Sequence, residues 1–303
     1  MISYDHEDRA AADAAAAVVG GSPGADDALV RRVHNAFSEE GVLSRSPDFE
    51  FRAEQQAMAV AVARSLRESQ PLLVEAGTGV GKSLAYLIPA AIHAVKEKRK
   101  AIISTHTINL QEQLVFKDIP IVQKMLTEDL KAVLLKGRRN YICPTRLKAA
   151  LRQAPELFTS SEHQELRSLL EWCSETEDGT LSDLGFTPSS KVWSLVCSEP
   201  HICTAKFCGP TGDCFYQRVR KQLAEADIVV LNHTLFFTLL GSRDLDDEQP
   251  EGGGYLFPND FVIFDEAHTL ENIAARQLGL NLSQGGIRFE LNRLYNPFFD
   301  RGL

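Results

Sequence analysis

The stretch "LLVEAGTGVGKSLAYLIPA", Leu72 to Ala90, narrows the choice of folds more than any other part of the 303-residue chain. An apolar run passes into a turn with glycine at 77, 79 and 81, and then into a pattern of helical period. Short apolar runs bounded by turn residues read as buried strands. Four more follow: "AIIST" at Ala101, "AVLL" at Ala132, "DIVVLN" at Asp227 and "FVIFDE" at Phe261. The first three runs are separated by "SLAYLIPAAIHAV" and "NLQEQLVFKDIPIVQKML", both helix-like. That alternation predicts an α/β fold, a parallel sheet with helices on both faces. Pro89 and Pro120 fall inside the two helical stretches and predict a kink or break in each.

Before the first run, "EQQAMAVAVARSL" sets Met58, Val62 and Leu66 on one helical stripe. Residues 1–26 are rich in Ala, Gly and Asp without a sustained period, and read as a disordered tail. About 90 residues separate the third and fourth apolar runs, too many for a structureless loop, so an insertion with its own structure is expected there. It opens on a polar helical stretch and ends in a cysteine cluster. No stretch approaches the roughly 20 apolar residues of a membrane span, and the N-terminus carries acids where a secretory signal would be basic. A cytoplasmic chain with reduced thiols follows as the expectation. The net charge of -9 excludes a uniformly basic surface, although "KEKRK", "KGRRN" and "RVRK" are local basic strings.

The glycine-rich turn has the context of a phosphate-binding loop. Gly77, Thr78, Gly79 and Gly81 would let backbone N–H groups and the next helix N-terminus meet phosphate oxygens. Lys82 would reach the β- and γ-phosphates of ATP, and the Ser83 hydroxyl would ligate Mg²⁺. Ala76 stands where the G-x-x-x-x-G-K-[ST] pattern has its first glycine. In "FVIFDEAHTLEN" two acids emerge at the C-terminal edge of a strand, where open α/β sheets bind ligands. Asp265 would hold Mg²⁺ and Glu266 would orient and deprotonate the attacking water, with His268 beside them.

"EAGTGVGKS", "ISTHTINLQEQL", "LKGRRNYICP", "ADIVVLNHTLFF" and "VIFDEAHTLEN", in this order, resemble the first motor domain of the DinG/XPD group of superfamily 2 iron-sulfur DNA helicases. The resemblance covers about residues 27–280. It implies a RecA-like P-loop NTPase sheet interrupted by a mainly helical iron-sulfur insertion. It accounts for Ala76, which such helicases commonly carry, and makes Gln55 of "FRAEQQAM" the contact to the nucleotide base, with Arg52 its neighbour. "STHTINLQEQ" resembles the segment that grips single-stranded DNA, where Thr105 and Thr107 offer hydroxyls to phosphates. A polar helix cap is the plainer alternative.

The chain has six cysteines, and Cys203, Cys208 and Cys214 are spaced C-x4-C-x5-C with Cys143 far upstream. Spacing alone suits zinc as well as an iron-sulfur cluster, and Cys197 competes for a place. The resemblance implies a [4Fe-4S] cluster on Cys143, Cys203, Cys208 and Cys214. It also implies that the neighbouring basic residues, Arg218 and Lys221 foremost, border a DNA path. The expected organisation is a first motor part at 27–140, the insertion at 141–215, the motor remainder at 216–280 and the start of a truncated further domain at 281–303.

The activity implied is ATP-dependent 5′ to 3′ translocation on single-stranded DNA and unwinding of forked or damaged duplexes in repair or replication. Single-strand-binding or replication proteins are the expected partners, and no membrane is involved. A truncated chain without the second motor domain is expected to hydrolyse ATP poorly. A non-catalytic metal-bound DNA-binding module with a relic nucleotide site is the rival. A nuclease-linked relative is another, though residues 1–26 are too short and unpatterned for a nuclease domain.

Overall fold

A computed structural model describes residues 28–46, 49–157, 159–199, 214–241 and 259–279, with short pieces between 284 and 302. The tail expected at 1–26, most of the region expected at 281–303, and Cys203 and Cys208 lie outside the described residues. Three helices lead in or form the near layer: α1 (Ala28–Ala36), α2 (Ala53–Glu68) and α3 (Lys82–Glu97). The sheet is built from β1 (Ala101–Thr105), β2 (Ala132–Leu134), β3 (Ile228–Asn232) and β4 (Phe261–Phe264), all parallel, in the order β2-β3-β1-β4. Between β1 and β2 the chain runs through α4 (Ile108–Gln113), a π-helical turn at Leu114–Asp118 and α5 (Ile119–Met125).

Alternation along the strands divides the core. Ala101, Ile103, Ile228 and Val230 face α1, α2, α3 and α5 in one apolar cluster. Ile102, Val133, Val229 and Leu231 face a second cluster that includes Tyr141, Ile142, Leu147, Phe215 and Tyr216. Full burial of each large aliphatic side chain contributes about 1.5–3 kcal/mol. The second cluster joins the sheet to the segments between β2 and β3.

That interval holds α6 (Pro144–Leu157), α7 (Ser160–Glu175), α8 (Ser190–Val196) and, after residues outside the description, α9 (Phe215–Glu225). Thr159 and Glu162 start α7 with a reciprocal capping box, and Ser189 caps α8. Leu147, Leu166, Leu169, Val192 and Val196 bury the apolar sides of the first three helices together. α10 (His233–Gly241) follows β3 directly, and α11 (Leu270–Leu278) follows β4. Among the described residues no helix is long and apolar enough to cross a membrane.

Two local expectations are corrected and a third is met. "LLVEA" is no buried strand: residues 71–77 pair with no strand among those described, and Leu73 is 89% exposed. A strand forms only where a neighbour takes its main-chain groups, and among the described residues β4 pairs with β1 alone. β4 is accordingly an edge, with Val262 exposed and its other residues half-buried. Pro89 does not break α3, which runs unbroken from Lys82 to Glu97 because residues 85–94 are buried without interruption. The second helical stretch does divide, but at the π-helical turn, leaving Pro120 in the first turn of α5 where its missing N–H costs nothing.

Candidate functional site

The glycine-rich turn adopts the backbone that its composition allows. Gly79 and Gly81 have φ of 84° and 83°, in the left-handed region. A Cβ on Gly81 would also meet Gln55 Nε2 at 2.2 Å. Gly81 caps α3 without any side chain covering the first turn, so the helix opens on main-chain N–H groups suited to an anion. The turn is braced from α2. Gln55, which is buried, donates to the Gly81 carbonyl at 2.9 Å, and Arg52 donates to the Gly79 carbonyl while pairing with Glu50 at 2.9 Å. Part of the Gln55 amide is thus committed to the loop.

The acids arrive from the other side of the sheet edge. The Asp265 N–H donates to the Ser104 carbonyl at 2.9 Å, which continues the β1–β4 register. One Asp265 oxygen accepts from the Glu266 N–H at 3.1 Å, and the other from the Tyr86 hydroxyl at 3.2 Å. Glu266 itself sits at φ 56°, ψ 44°, an unusual backbone for a side chain that is not glycine or asparagine. Its carbonyl is held by the Thr269 N–H and hydroxyl at 3.2 and 3.0 Å. Lys82 Nζ lies 3.7 Å from Glu266 Oε1, and the exposed His268 lies 3.5 Å from Oε2. The two sequence motifs therefore meet in space, Lys82 against Glu266.

Two further groups complete the pocket. Tyr86, one helical turn beyond Lys82, is buried; that burial, followed by the Asp265 charge, holds its hydroxyl protonated well above the usual tyrosine range. Asp118, at the end of the π-helical turn, is buried with Oδ2 lacking a partner among the described residues. Burial raises its pKa, a hydrogen bond with Ser83 and the charge of Lys117 lower it, and Asp265 adds to the rise. Ser83, Asp118 and Asp265 make an oxygen-rich corner of the chemistry that Mg²⁺ takes. Neither Tyr86 nor Asp118 was legible as a site residue, although an acid within the apolar helical run "LVFKDIPIV" was a signal.

At the β1 end, Thr105 is fully buried and its hydroxyl donates to the Thr107 carbonyl at 3.2 Å. Thr107 is exposed and caps α4, accepting from the Leu110 N–H at 3.3 Å. Of the pair, only Thr107 presents itself to solvent. His106 between them is also exposed.

Of the cysteines, Cys143 and Cys214 are buried, each immediately ahead of a helix, α6 and α9 respectively. Tyr141 and Tyr216, two residues from each, meet edge to face at 5.5 Å, with the Arg138 guanidinium 4.7 Å over the Tyr216 ring. The Tyr141–Tyr216 contact links the two segments that carry Cys143 and Cys214. Cys197 stands beside Cys143 through the Ile142–Cys197 bridge, but its thiol donates to the Ser194 carbonyl at 3.7 Å and burial raises its pKa. Burial likewise raises Cys173. Among the described residues no three potential ligands converge on a metal position. Arg218 donates to the Glu177 carbonyl at 3.1 Å and lies 5.1 Å over Phe215, whereas Lys221 is exposed on α9.

Comparison with known proteins gives this geometry a lineage. The DEAD/DEAH box helicase family model matches residues 53–148, and the DEAD_2 model matches residues 103–287. "ATP-dependent DNA helicase YoaA" of Escherichia coli is 40% identical over 252 residues, covering 82% of this chain and 38% of its own length. "ATP-dependent helicase DinG" of Mycobacterium tuberculosis is 34% identical over 267 residues, covering 81% and 39%. "3'-5' exonuclease DinG" of Bacillus subtilis is 31% identical over 261 residues, covering 86% and 27%. The chain thus spans two fifths or less of the length of these relatives. With the phosphate-loop motif and the Asp265–Glu266 pair closed on each other over a parallel sheet, and with more than half of its residues matched, the chain belongs to the DEAD_2 family of DEAD/DEAH helicase domains.

Proposed function

We propose that this chain is the nucleotide-binding part of an ATP-dependent DNA helicase of the DinG type, working in the cytoplasm on forked or damaged DNA, with 5′ to 3′ polarity. One juxtaposition carries the reading: Lys82 at the start of α3 lies 3.7 Å from Glu266 at the end of β4. A lysine parked on a carboxylate at a helix N-terminus is poised to exchange that partner for a phosphate. On ATP binding Lys82 moves to the β- and γ-phosphates, and Glu266 is released to accept a proton from the attacking water. Ser83 and Asp265 are the residues that would hold Mg²⁺, which when bound neutralises phosphate charge. Tyr86 keeps Asp265 oriented by its hydroxyl. Gln55 and Arg52 fix the loop, and Gln55 contacts the base. The relatives extend well beyond the matched stretch, and unwinding is assigned to a polypeptide of their length, with single-strand-binding or replication proteins as partners.

The cysteine insertion is assigned a [4Fe-4S] cluster on Cys143, Cys203, Cys208 and Cys214. When bound, such a cluster cross-links the segments ahead of α6 and α9 into a rigid unit. That unit would stand beside a strand path bordered by Thr107, Arg218 and Lys221, with Thr105 shaping the turn. Support comes from the burial of both thiols and from the Tyr141–Tyr216 contact that links the segments carrying them.

Two measurements test the reading. After anaerobic purification, iron and acid-labile sulfide are expected near four of each per chain, about the content of one cubane cluster, and both are lost in Cys208→Ser. Stoichiometric zinc without sulfide overturns the cluster. In parallel, Mg²⁺-dependent ATP binding and labelled oligo(dT) binding are expected in the same preparation. Strand binding without any nucleotide binding turns the reading into that of a metal-bound module with a relic site.

A further inference from the structure

His233 is fully buried at the first position of α10, and the mechanism above does not use it. Its surroundings are those of a joint. Nδ1 is 2.7 Å from the Ser104 hydroxyl, whose residue lies in register between Leu231 of β3 and Phe264 of β4. The Ser104 carbonyl accepts from the Asp265 N–H, so one residue holds both the ring and the start of the acidic pair. On one side the exposed His106 lies parallel to the His233 ring, with planes 11° apart and centroids 6.4 Å apart. On another the ring meets Phe264 at 6.0 Å, and the main chain of Asp265 and Glu266 faces it. Nε2 is buried against the main-chain carbonyls of Asp265 and Glu266 without a well-formed hydrogen bond to either.

A buried ring nitrogen that is only weakly paired costs stability and calls for an explanation. The ring touches the segment read above as the strand contact, through His106, and the main chain that carries Glu266. Packed elements respond to a displaced neighbour by moving as units.

We propose that His233 is a positioning residue that couples occupation of the Thr105–Thr107 segment by single-stranded DNA to the placement of Glu266. Ser104 anchors the ring at Nδ1, and Nε2 is the end that engages the shifted main chain at Asp265 and Glu266. This rests on the reading of the site as a nucleotide pocket beside a strand contact. It adds a direction: a strand at His106 changes nucleotide affinity, and nucleotide changes strand affinity by the same factor.

The test measures that factor on the 303-residue chain. A fluorescent, non-hydrolysable ATP analogue with Mg²⁺ is titrated without and with saturating oligo(dT), and the oligonucleotide is titrated without and with the analogue. The parent chain is expected to show the same ratio in both directions, about 5-fold or more, as coupled sites typically do. His233→Phe keeps a ring of similar size but no nitrogen, and should bring the ratio to near one while each ligand alone binds within about 2-fold of the parent, a change too small to signal lost contacts. Ser104→Ala removes the anchor with little change of volume and should do the same, which covers the case in which His233→Phe fails to fold by circular dichroism. A parent ratio of one, or variants with the parent ratio, overturns the coupling. So does a variant that is only less stable with its ratio intact, since that is a packing role. Failure of either ligand to bind at all overturns the nucleotide and strand reading along with it, whereas binding of both with a ratio of one overturns the coupling alone.

Discussion

Replacing Glu112 by Ala is expected to destabilise the fold by about 3 kcal/mol, since removing one member of a buried ion pair leaves the other charge stranded. Lys136 is only 3% exposed, and its ammonium lies 2.9 Å from the Glu112 carboxylate and 3.2 Å from the Thr180 hydroxyl, with the Ser182 hydroxyl as third partner. The lysine follows β2, the glutamate sits on α4, and Thr180 and Ser182 belong to the turn between α7 and α8. The pair therefore ties the helix after β1 to the insertion. The two hydroxyls remain in Glu112→Ala, which places the cost at the lower end of the range for broken buried pairs. Lys136→Met is expected to cost less, about 1 kcal/mol, because Glu112 keeps access to water and no charge is left buried.

Urea titrations of the three proteins at neutral pH give the comparison, and pH supplies an internal check. Burial alone would raise the Glu112 pKa, but the hydrogen bonds from Lys136 and Ser182 and the lysine charge overcome it and leave it below 4.5. A carboxyl depressed by folding contributes stability that is present above its unfolded value and lost as pH falls through the folded one. The gap between parent and Glu112→Ala should therefore narrow below pH 4.5. A constant gap, or a Glu112→Ala protein as stable as the parent, shows that the pair does not hold the two parts together.

The second large effect is expected at Lys82. Lys82→Ala should weaken Mg·ATP binding by about 100-fold, since charge-assisted hydrogen bonds to phosphate contribute roughly 1.5–3 kcal/mol each. The same substitution should leave stability within about 0.5 kcal/mol, because in the empty site the lysine meets only Glu266 at 3.7 Å with both side chains about one third exposed, and such pairs are worth little. Nucleotide titration and thermal melting on one preparation separate the two quantities. Unaltered nucleotide affinity would remove Lys82 from the site. A large loss of stability would make it a structural residue whose motif is incidental.

How much of this was visible in the chain depends on the range of the forces involved. The four strands at Ala101, Ala132, Ile228 and Phe261 were legible as continuous apolar runs, which in β1 and β3 reflect burial on both faces. "LLVEA" has the same composition, yet it pairs with no described strand, because a ladder is a property of two segments and composition reports only one. The local chemistry of Pro89 predicts a kink or break, whereas ten consecutive buried residues keep α3 unbroken around it. In the site, Lys82, Asp265 and Glu266 stood out because fixed spacings carry them. Tyr86, Asp118 and His233 did not, since each acts through partners far away in sequence, 179 residues in the case of Tyr86 and Asp265. The left-handed backbone of Glu266 likewise has no signature in "FDEAH".

The open side of β4 has a consequence for the behaviour of these 303 residues in solution. Among the described residues no second strand pairs with it, its Val262 is exposed, and Leu72, Leu73 and Val74 are exposed as well. An exposed edge of this kind is a template on which another extended chain can ladder. The net charge of -9 acts at a distance and is screened within roughly 10 Å at 0.1 M salt, whereas edge pairing acts on contact. Raising salt to quiet nonspecific electrostatics would thus remove the repulsion that keeps two such edges apart, and the chain is best kept dilute and at low ionic strength.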